Sequence, residues 1–242
     1  MPTPHGAAPT GTNRWWRGQL LRGGERHARR AISARRVPEA GNRRLEGGGD
    51  GAVGGEGASP FPPLHDRVQV AVFGGSFNPP HVAHAMVAGW LSWAGRADEV
   101  WLVPTFAHAF AKELRPFERR VAACAALAEL VGPWVSVCTI EAELPTPSFT
   151  IATLDALASR FPAHRFRLVV GADNLAVKSQ WRDWARIEAE YSPIVVGRGV
   201  AVSPSAPCFP DISSTEVRRR LAAGESVDDL VPGSVLAAWL GT

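Results

Sequence analysis

No stretch of this sequence approaches the roughly 20 consecutive apolar residues of a membrane-spanning helix. Nor does a short apolar core follow Met1, as a secretory signal requires. Spanning a membrane by a helix is therefore excluded, and a cytoplasmic location is expected. Cysteine is scarce. Cys124, Cys138 and Cys208 are odd in number and far apart, so neither a disulfide framework nor a Cys-based metal site is indicated. No cluster of carboxylates suggests a metal cage, and no internal repeat suggests a solenoid.

A net excess of basic charge is also missing from most of the chain, although the net formal charge of the 242 residues is +3. Residues 1–66 hold 10 of the 26 Lys and Arg residues and 6 of the 23 Asp and Glu residues. The remainder is close to neutral, so the basicity belongs to the leading segment and nucleic acid is not expected as a partner. That segment is rich in glycine and proline, as in Gly47-Gly48-Gly49 and Ser59-Pro60-Phe61-Pro62-Pro63, with little apolar periodicity. It reads as a disordered basic extension over 1–66. A charge-based surface role and a translation start downstream of Met1 are the alternatives. Residues 67–242 are expected to form the folded domain.

What is present is concentrated in Gly74-Gly75-Ser76-Phe77-Asn78-Pro79-Pro80-His81-Val82-Ala83-His84. Val68, Val70, Val72 and Phe73 just upstream read as a buried strand. The two glycines let the backbone turn tightly and approach a ligand. The prolines delay a helix until about His81. His81 and His84 then share one face of the first helical turn. Unpaired N–H groups and the positive end of the dipole make that turn a phosphate site.

Further strands are expected at Asp98–Val103, Trp134–Ile140, Phe166–Val170 and Ile194–Val196. Helices are expected from Pro116 to about Val131, through Leu157 with Ser148 or Thr150 as cap, in pieces over Leu175–Ala189, after Asp211–Thr215, and over Val231–Leu240. Strands alternating with helices predict an α/β fold, a Rossmann-like parallel sheet with helices on both faces. Ligands bind such sheets beyond the carboxyl ends of the strands. The Gly74-Gly75 turn and Gly171-Ala172-Asp173 both stand at such ends.

The first motif resembles the signature of the nucleotidyltransferase superfamily, a Gly-rich turn followed by His-x-Gly-His. Ala83 stands where that family usually has glycine. Ile212-Ser213-Ser214-Thr215-Glu216-Val217-Arg218 resembles the family's second signature. Gly171-Ala172-Asp173-Asn174-Leu175 with Trp181, the segment Pro147-Ser148-Phe149-Thr150 with Thr153-Leu154, and the ending over Gly224–Pro232 resemble bacterial nicotinate-mononucleotide adenylyltransferases. The loop Phe106–Lys112 departs from that pattern, lacking its two prolines.

The resemblance implies transfer of AMP from ATP to a pyridine mononucleotide in NAD biosynthesis. It implies His81, His84 and Arg218 as the catalytic groups. Gly74, Gly75, Ser76, Phe77, Ser213, Ser214 and Thr215 would receive the ATP phosphates. Asp173 would meet a ribose, Trp181 would stack on the pyridine ring, and His108 and Lys112 are candidate phosphate contacts. Magnesium would ride mainly on substrate phosphates, with no protein metal site. Pantetheine-phosphate adenylyltransferase and glycerol-phosphate cytidylyltransferase share the first motif's outline and are the alternatives within the fold. A nucleotide-binding regulator without catalysis is the alternative outside enzymes. The choice between acid and amide nucleotide, and the oligomeric state, stay open at this point.

Overall fold

The computed structural model describes residues 67–107, 114–199 and 206–242. His108 and Lys112 lie outside the described residues. The elements run β1 (Val68–Gly75), α1 (Val82–Trp93), β2 (Glu99–Pro104), α2 (Phe117–Val131), β3 (Val135–Val137), α3 (Thr150–Arg160), β4 (His164–Gly171) and α4 (Ala172–Leu175). They continue with α5 (Trp184–Tyr191), β5 (Ile194–Arg198), β6 (Cys208–Phe209), α6 (Ser214–Ala222) and α7 (Gly233–Leu240).

The strands form a six-stranded sheet in the order β3-β2-β1-β4-β5-β6. Every pairing is parallel. This is the Rossmann-like arrangement expected. β1 lies at its centre and shows why. Val70, Ala71 and Val72 are all buried, so both faces of the strand are covered. Successive side chains point to opposite faces. Ala71 joins a core with Leu91 of α1, Leu127 of α2, Val217 of α6 and Trp239 of α7. Val70 and Val72 join a second core with Leu154 and Leu157 of α3 and Ile187 of α5. The sheet thus separates two apolar layers, one against α1, α2, α6 and α7, the other against α3 and α5.

Three local expectations are corrected. The third strand ends at Val137, and Ile140 opens a short 3-10 turn instead. A sixth strand, Cys208–Phe209, extends the sheet; its two residues carry no readable alternation. Neither Ser148 nor Thr150 caps α3: Phe149 occupies the cap position without a side-chain bond, and the Ser148 hydroxyl donates to Glu141 at 3.0 Å.

The order reverses direction between β1 and β4, where chains leave the sheet toward opposite faces. Such a switch point opens a crevice beyond the carboxyl ends. Gly75 ends β1 and Gly171 ends β4, so both glycine turns reach that opening.

Candidate active site

A crevice of about 710 Å³ lies at the switch point. Its wall includes Gly74, Gly75, Ser76, Phe77, His81 and His84 from the turn into α1. Ser213, Ser214 and Thr215 from the start of α6 face the same space, as do Asp173 and Trp181. The structure therefore brings together the three separated segments singled out in the sequence.

The turn is built by close packing. Phe77 holds a left-handed backbone, φ 44°, and only 1% of its surface is exposed. A bulky residue in that conformation is strained and persists only where its surroundings compel it. Its ring lies against Gly75, where an added Cβ would meet it at 3.3 Å. The same ring packs 4.9 Å from the His84 ring and 5.8 Å from Phe73. Glycine at 75 is what admits Phe77 beneath the histidine.

His81 is the cap residue of α1, and its ring lies 3.8 Å from that of His84. His84 Nδ1 accepts the His81 backbone N–H at 3.1 Å. With Nδ1 accepting, the proton of the neutral ring sits on Nε2, which is left as a donor. His81 Nδ1 is buried with no hydrogen-bond partner. Burial, with the Arg198 charge adding to it, pushes the His81 pKa down to about 4. Burial first, then His81 and Arg198, pushes His84 well below the ordinary histidine range. Both rings are neutral at pH 7, and a bound polyphosphate would raise both values by offering opposite charge. One feature of the helix start differs from expectation. The Val82 N–H is not open to a ligand, because it donates to the Leu230 carbonyl at 2.9 Å.

At the start of α6, Ser213 is the cap and accepts the Glu216 N–H at 3.1 Å. Ser214 donates its hydroxyl to the Pro79 carbonyl at 2.8 Å. Arg218 donates to the carbonyls of Asn78 at 2.7 Å and Ser214 at 3.1 Å, and reaches the Thr215 hydroxyl at 3.3 Å. Its guanidinium thus grips the histidine turn from behind and does not line the crevice.

Sequence reasoning missed four residues here. Arg198, at the carboxyl end of β5, lines the crevice and pairs with Asp173 at 2.7 Å and Asp211 at 3.4 Å. Its position at a strand's carboxyl end was the signal available. Arg120 is 1% exposed and donates to the carbonyls of Ser76 and Arg115, each at 3.0 Å. Glu141 lines the crevice and accepts from the Phe106 N–H at 3.1 Å and from Ser148 and Thr153 at 3.0 Å each. Arg182, beside Trp181, completes the set. Trp181 itself is fixed edge-to-face by Trp184, with ring centroids 5.5 Å apart.

A parallel sheet whose switch point carries a glycine turn, two neutral imidazoles and a capped helix start defines a nucleotide-phosphate-binding protein of the nucleotidyltransferase class. The family model described as cytidylyltransferase-like matches residues 72–220. The chain is 51% identical over 172 residues to a relative named "Probable nicotinate-nucleotide adenylyltransferase" of Anaeromyxobacter sp. strain K, covering 69% of this chain and 91% of that one. It is 41% identical over 176 residues to one from Myxococcus xanthus, covering 72% and 93%. Among solved structures, Plasmodium falciparum nicotinic acid mononucleotide adenylyltransferase complexed with NaAD shares the fold, with TM-score 0.58, 18% identity, and 72% and 95% coverage. The chain belongs to the nicotinate-nucleotide adenylyltransferase family of cytidylyltransferase-like proteins.

Proposed function

We propose that this protein transfers AMP from ATP to nicotinate mononucleotide or its amide counterpart, as a step of NAD synthesis. The observation carrying the reading is the convergence of the His81–His84 pair, the Ser213–Thr215 helix start and the Asp173–Trp181 segment on one crevice. An oxygen of the mononucleotide 5′-phosphate attacks the α-phosphorus of ATP. The bond from that phosphorus to the bridging oxygen breaks, and pyrophosphate leaves with the electron pair. The nucleophile is already an anion at neutral pH, so no general base is required.

The protein's part is alignment and charge stabilisation. His84 donates from Nε2, as its tautomer dictates, and His81 offers a second neutral ring beside it. The Gly74-Gly75 backbone admits the triphosphate, and the Ser213 and Thr215 hydroxyls receive its far end, while the Ser214 hydroxyl proton is held by the Pro79 carbonyl. Arg218 keeps the histidine turn in register with α6, and Arg198 supplies a guanidinium on the crevice wall. Asp173 suits the vicinal hydroxyls of a ribose, and the Trp181 face suits a flat pyridine ring. The residues given these roles all fall within 67–242.

Among the described residues no three His, Cys, Asp or Glu side chains group together as a metal site. The crevice carboxylates are already engaged, Asp173 with Arg198 and Glu141 with Ser148 and Thr153. The donor set therefore fits a magnesium ion carried by the substrate phosphates rather than caged by protein. Such an ion would neutralise charge on the triphosphate oxygens.

Protein supplied with Mg²⁺, ATP and either mononucleotide is expected to release pyrophosphate and form the dinucleotide. His84→Ala is expected to lose about 10²-fold or more in kcat, the usual cost of one transition-state donor. Activity that survives that change intact would overturn the assignment. No helix among the described residues is long and apolar enough to cross a membrane. A cytoplasmic site of action completes the proposal.

A further inference from the structure

A carboxylate on the wall of a crevice that takes anionic substrates repels them unless its charge is engaged elsewhere. Glu141 lines the crevice and is half-buried. Both of its oxygens are engaged. Oε2 accepts the Phe106 N–H at 3.1 Å and the Ser148 hydroxyl at 3.0 Å, and Oε1 accepts the hydroxyl of buried Thr153 at 3.0 Å. No role in the transfer itself falls to it.

The three donors come from two segments that serve different parts of the crevice. Phe106 follows Thr105, whose N–H donates to the Gly75 carbonyl at 2.9 Å. The segment after β2 is therefore tied to the glycine turn. Ser148 and Thr153 belong to the start of α3. The Thr153 N–H donates to the Phe149 carbonyl at 3.1 Å. The Phe149 ring stands on the crevice wall with Trp181 and lies 4.5 Å from the Arg182 guanidinium carbon. One carboxylate thus joins the turn that receives the triphosphate to the wall that suits the second nucleotide, through charge-assisted hydrogen bonds.

We propose that Glu141 is a positioning residue that sets the separation of the two substrates, keeping the mononucleotide phosphate in line with the α-phosphorus of ATP. The inference rests on the adenylyl-transfer reading above and adds a residue to it. The role belongs to geometry and not to charge. Glutamine can keep all three bonds. Its oxygen accepts from Phe106 and Ser148, its NH₂ donates to the Thr153 oxygen, and the Thr153 proton turns to the Phe149 carbonyl 3.5 Å away. Alanine keeps none. A displacement of about 1 Å between reacting groups is enough to cost about 10²-fold in rate.

The test compares the full chain with Glu141→Ala and Glu141→Gln. Initial rates with Mg²⁺, ATP and nicotinate mononucleotide give kcat. Calorimetry gives the affinity of each substrate bound alone, and hydrogen exchange gives the protection of residues 105–107 and 148–154. Glu141→Ala is expected to lose about 10²-fold in kcat with both separate affinities nearly unchanged, because each part of the crevice still binds its own ligand. Both segments should lose protection together. Glu141→Gln should keep most of kcat and the protection. Its Tm should still fall, because burial lowers the Arg120 pKa and Glu141 is among the charges that oppose this. A glutamine variant as slow as the alanine variant would assign the effect to charge and overturn the inference. So would an alanine variant that melts earlier yet keeps kcat, or one whose separate affinities fall in step with kcat. If Glu141→Ala does not fold, the double variant Ser148→Ala, Thr153→Val, which cuts the two bonds to α3, takes its place with the same expectations. If the unaltered protein forms no dinucleotide, the adenylyl-transfer reading fails. Hydrogen exchange then decides alone: protection lost in both segments upholds the bridge, and protection lost in neither overturns it.

Discussion

The guanidinium of Arg218 donates to the carbonyl of Asn78 at 2.7 Å, across 140 positions of sequence. It is one of several grips on the same turn. Ser214 of α6 holds Pro79, Arg120 of α2 holds Ser76, and Trp239 of α7 donates to the Asn78 side chain at 3.1 Å. The turn itself has few ways of satisfying its carbonyls, because two prolines deny it a ladder of its own. Three helices from one face of the sheet therefore supply the donors. The position of His81 is set by helices distant from it in sequence, two of them in the C-terminal third of the chain.

Arg218→Lys is expected to damage both folding and turnover. A lysine cannot reach two carbonyls and a hydroxyl in one plane. Loss of these part-buried bonds should cost about 2 kcal/mol, a fall of about 5 °C in Tm for a chain of this size. The kcat for pyrophosphate release should drop at least about 10-fold, because the histidine turn loses its register. Thermal melts and initial rates on one preparation check both. A variant that keeps its Tm and loses only kcat would place Arg218 on the substrate instead of behind the turn.

Arg120 makes a parallel case from a residue that touches no substrate. It is buried, and burial lowers its pKa. Arg120→Met keeps the volume and removes the donors to Ser76 and Arg115. Two part-buried hydrogen bonds are then lost, at a cost of about 2 kcal/mol. The expected kinetic signature is a raised KM for ATP, read from saturation curves, since Ser76 borders the phosphate path. An unchanged KM together with a lowered Tm would confine Arg120 to structure.

The contrast between these two arginines shows what the sequence could and could not say. Val68–Gly75 was legible because alternating apolar residues end in two glycines, and only a strand feeding a tight turn explains both. Ser213-Ser214-Thr215 was legible because small hydroxyl residues before Val217 and Leu221 mark a helix start. Arg218 was found as part of that string, yet the direction of its side chain was not, because direction depends on which loop folds back against α6. Arg120 sits in an alanine-rich helix with charged neighbours, where one guanidinium reads like another until burial distinguishes it. β6 was missed for want of length, and Arg182 because stacking on Phe149 joins residues that no spacing rule connects. The parallel sheet and the place of the crevice followed from strand–helix alternation; the strand order and the pairing of cations with carboxylates inside the crevice did not.

The buried histidines make stability depend on pH in a definite direction. Unfolded His81 titrates near 6.5, and the folded ring near 4. Between those values the unfolded chain binds the extra proton, so stability is complete above about pH 6.5 and falls as pH drops toward 4. The full effect of His81 is about 3 kcal/mol, and His84 acts in the same direction. Urea midpoints measured from pH 7 to 4.5 should decline, and His81→Asn should flatten that decline. ATP binding should also take up protons near pH 6, detectable as a buffer-dependent heat, because phosphate charge raises both pKa values. A His81→Asn profile as steep as the parent's would show that the ring is not buried as described.

Arg198 and Asp173 compete for the same space that ATP must enter. Their 2.7 Å contact is half exposed, with side-chain exposures of 43% and 51%, so it adds little to stability. Either substitution should leave the urea midpoint nearly unchanged. Their effects on catalysis should differ. Arg198→Ala removes a cation from the crevice wall and should lower kcat/KM for ATP about 10²-fold. It should also let the His81 pKa rise, though only in part, since burial is the larger cause. Asp173→Asn removes the ribose acceptor but releases Arg198 for phosphate, two changes of opposite sign, so its loss should be smaller, about 10-fold. In the double variant the benefit of release is gone. Its loss should therefore exceed the product of the single losses, a coupling that a double-mutant cycle reads directly. Strict additivity in that cycle would mean that the ion pair persists, or never forms, when ATP is bound.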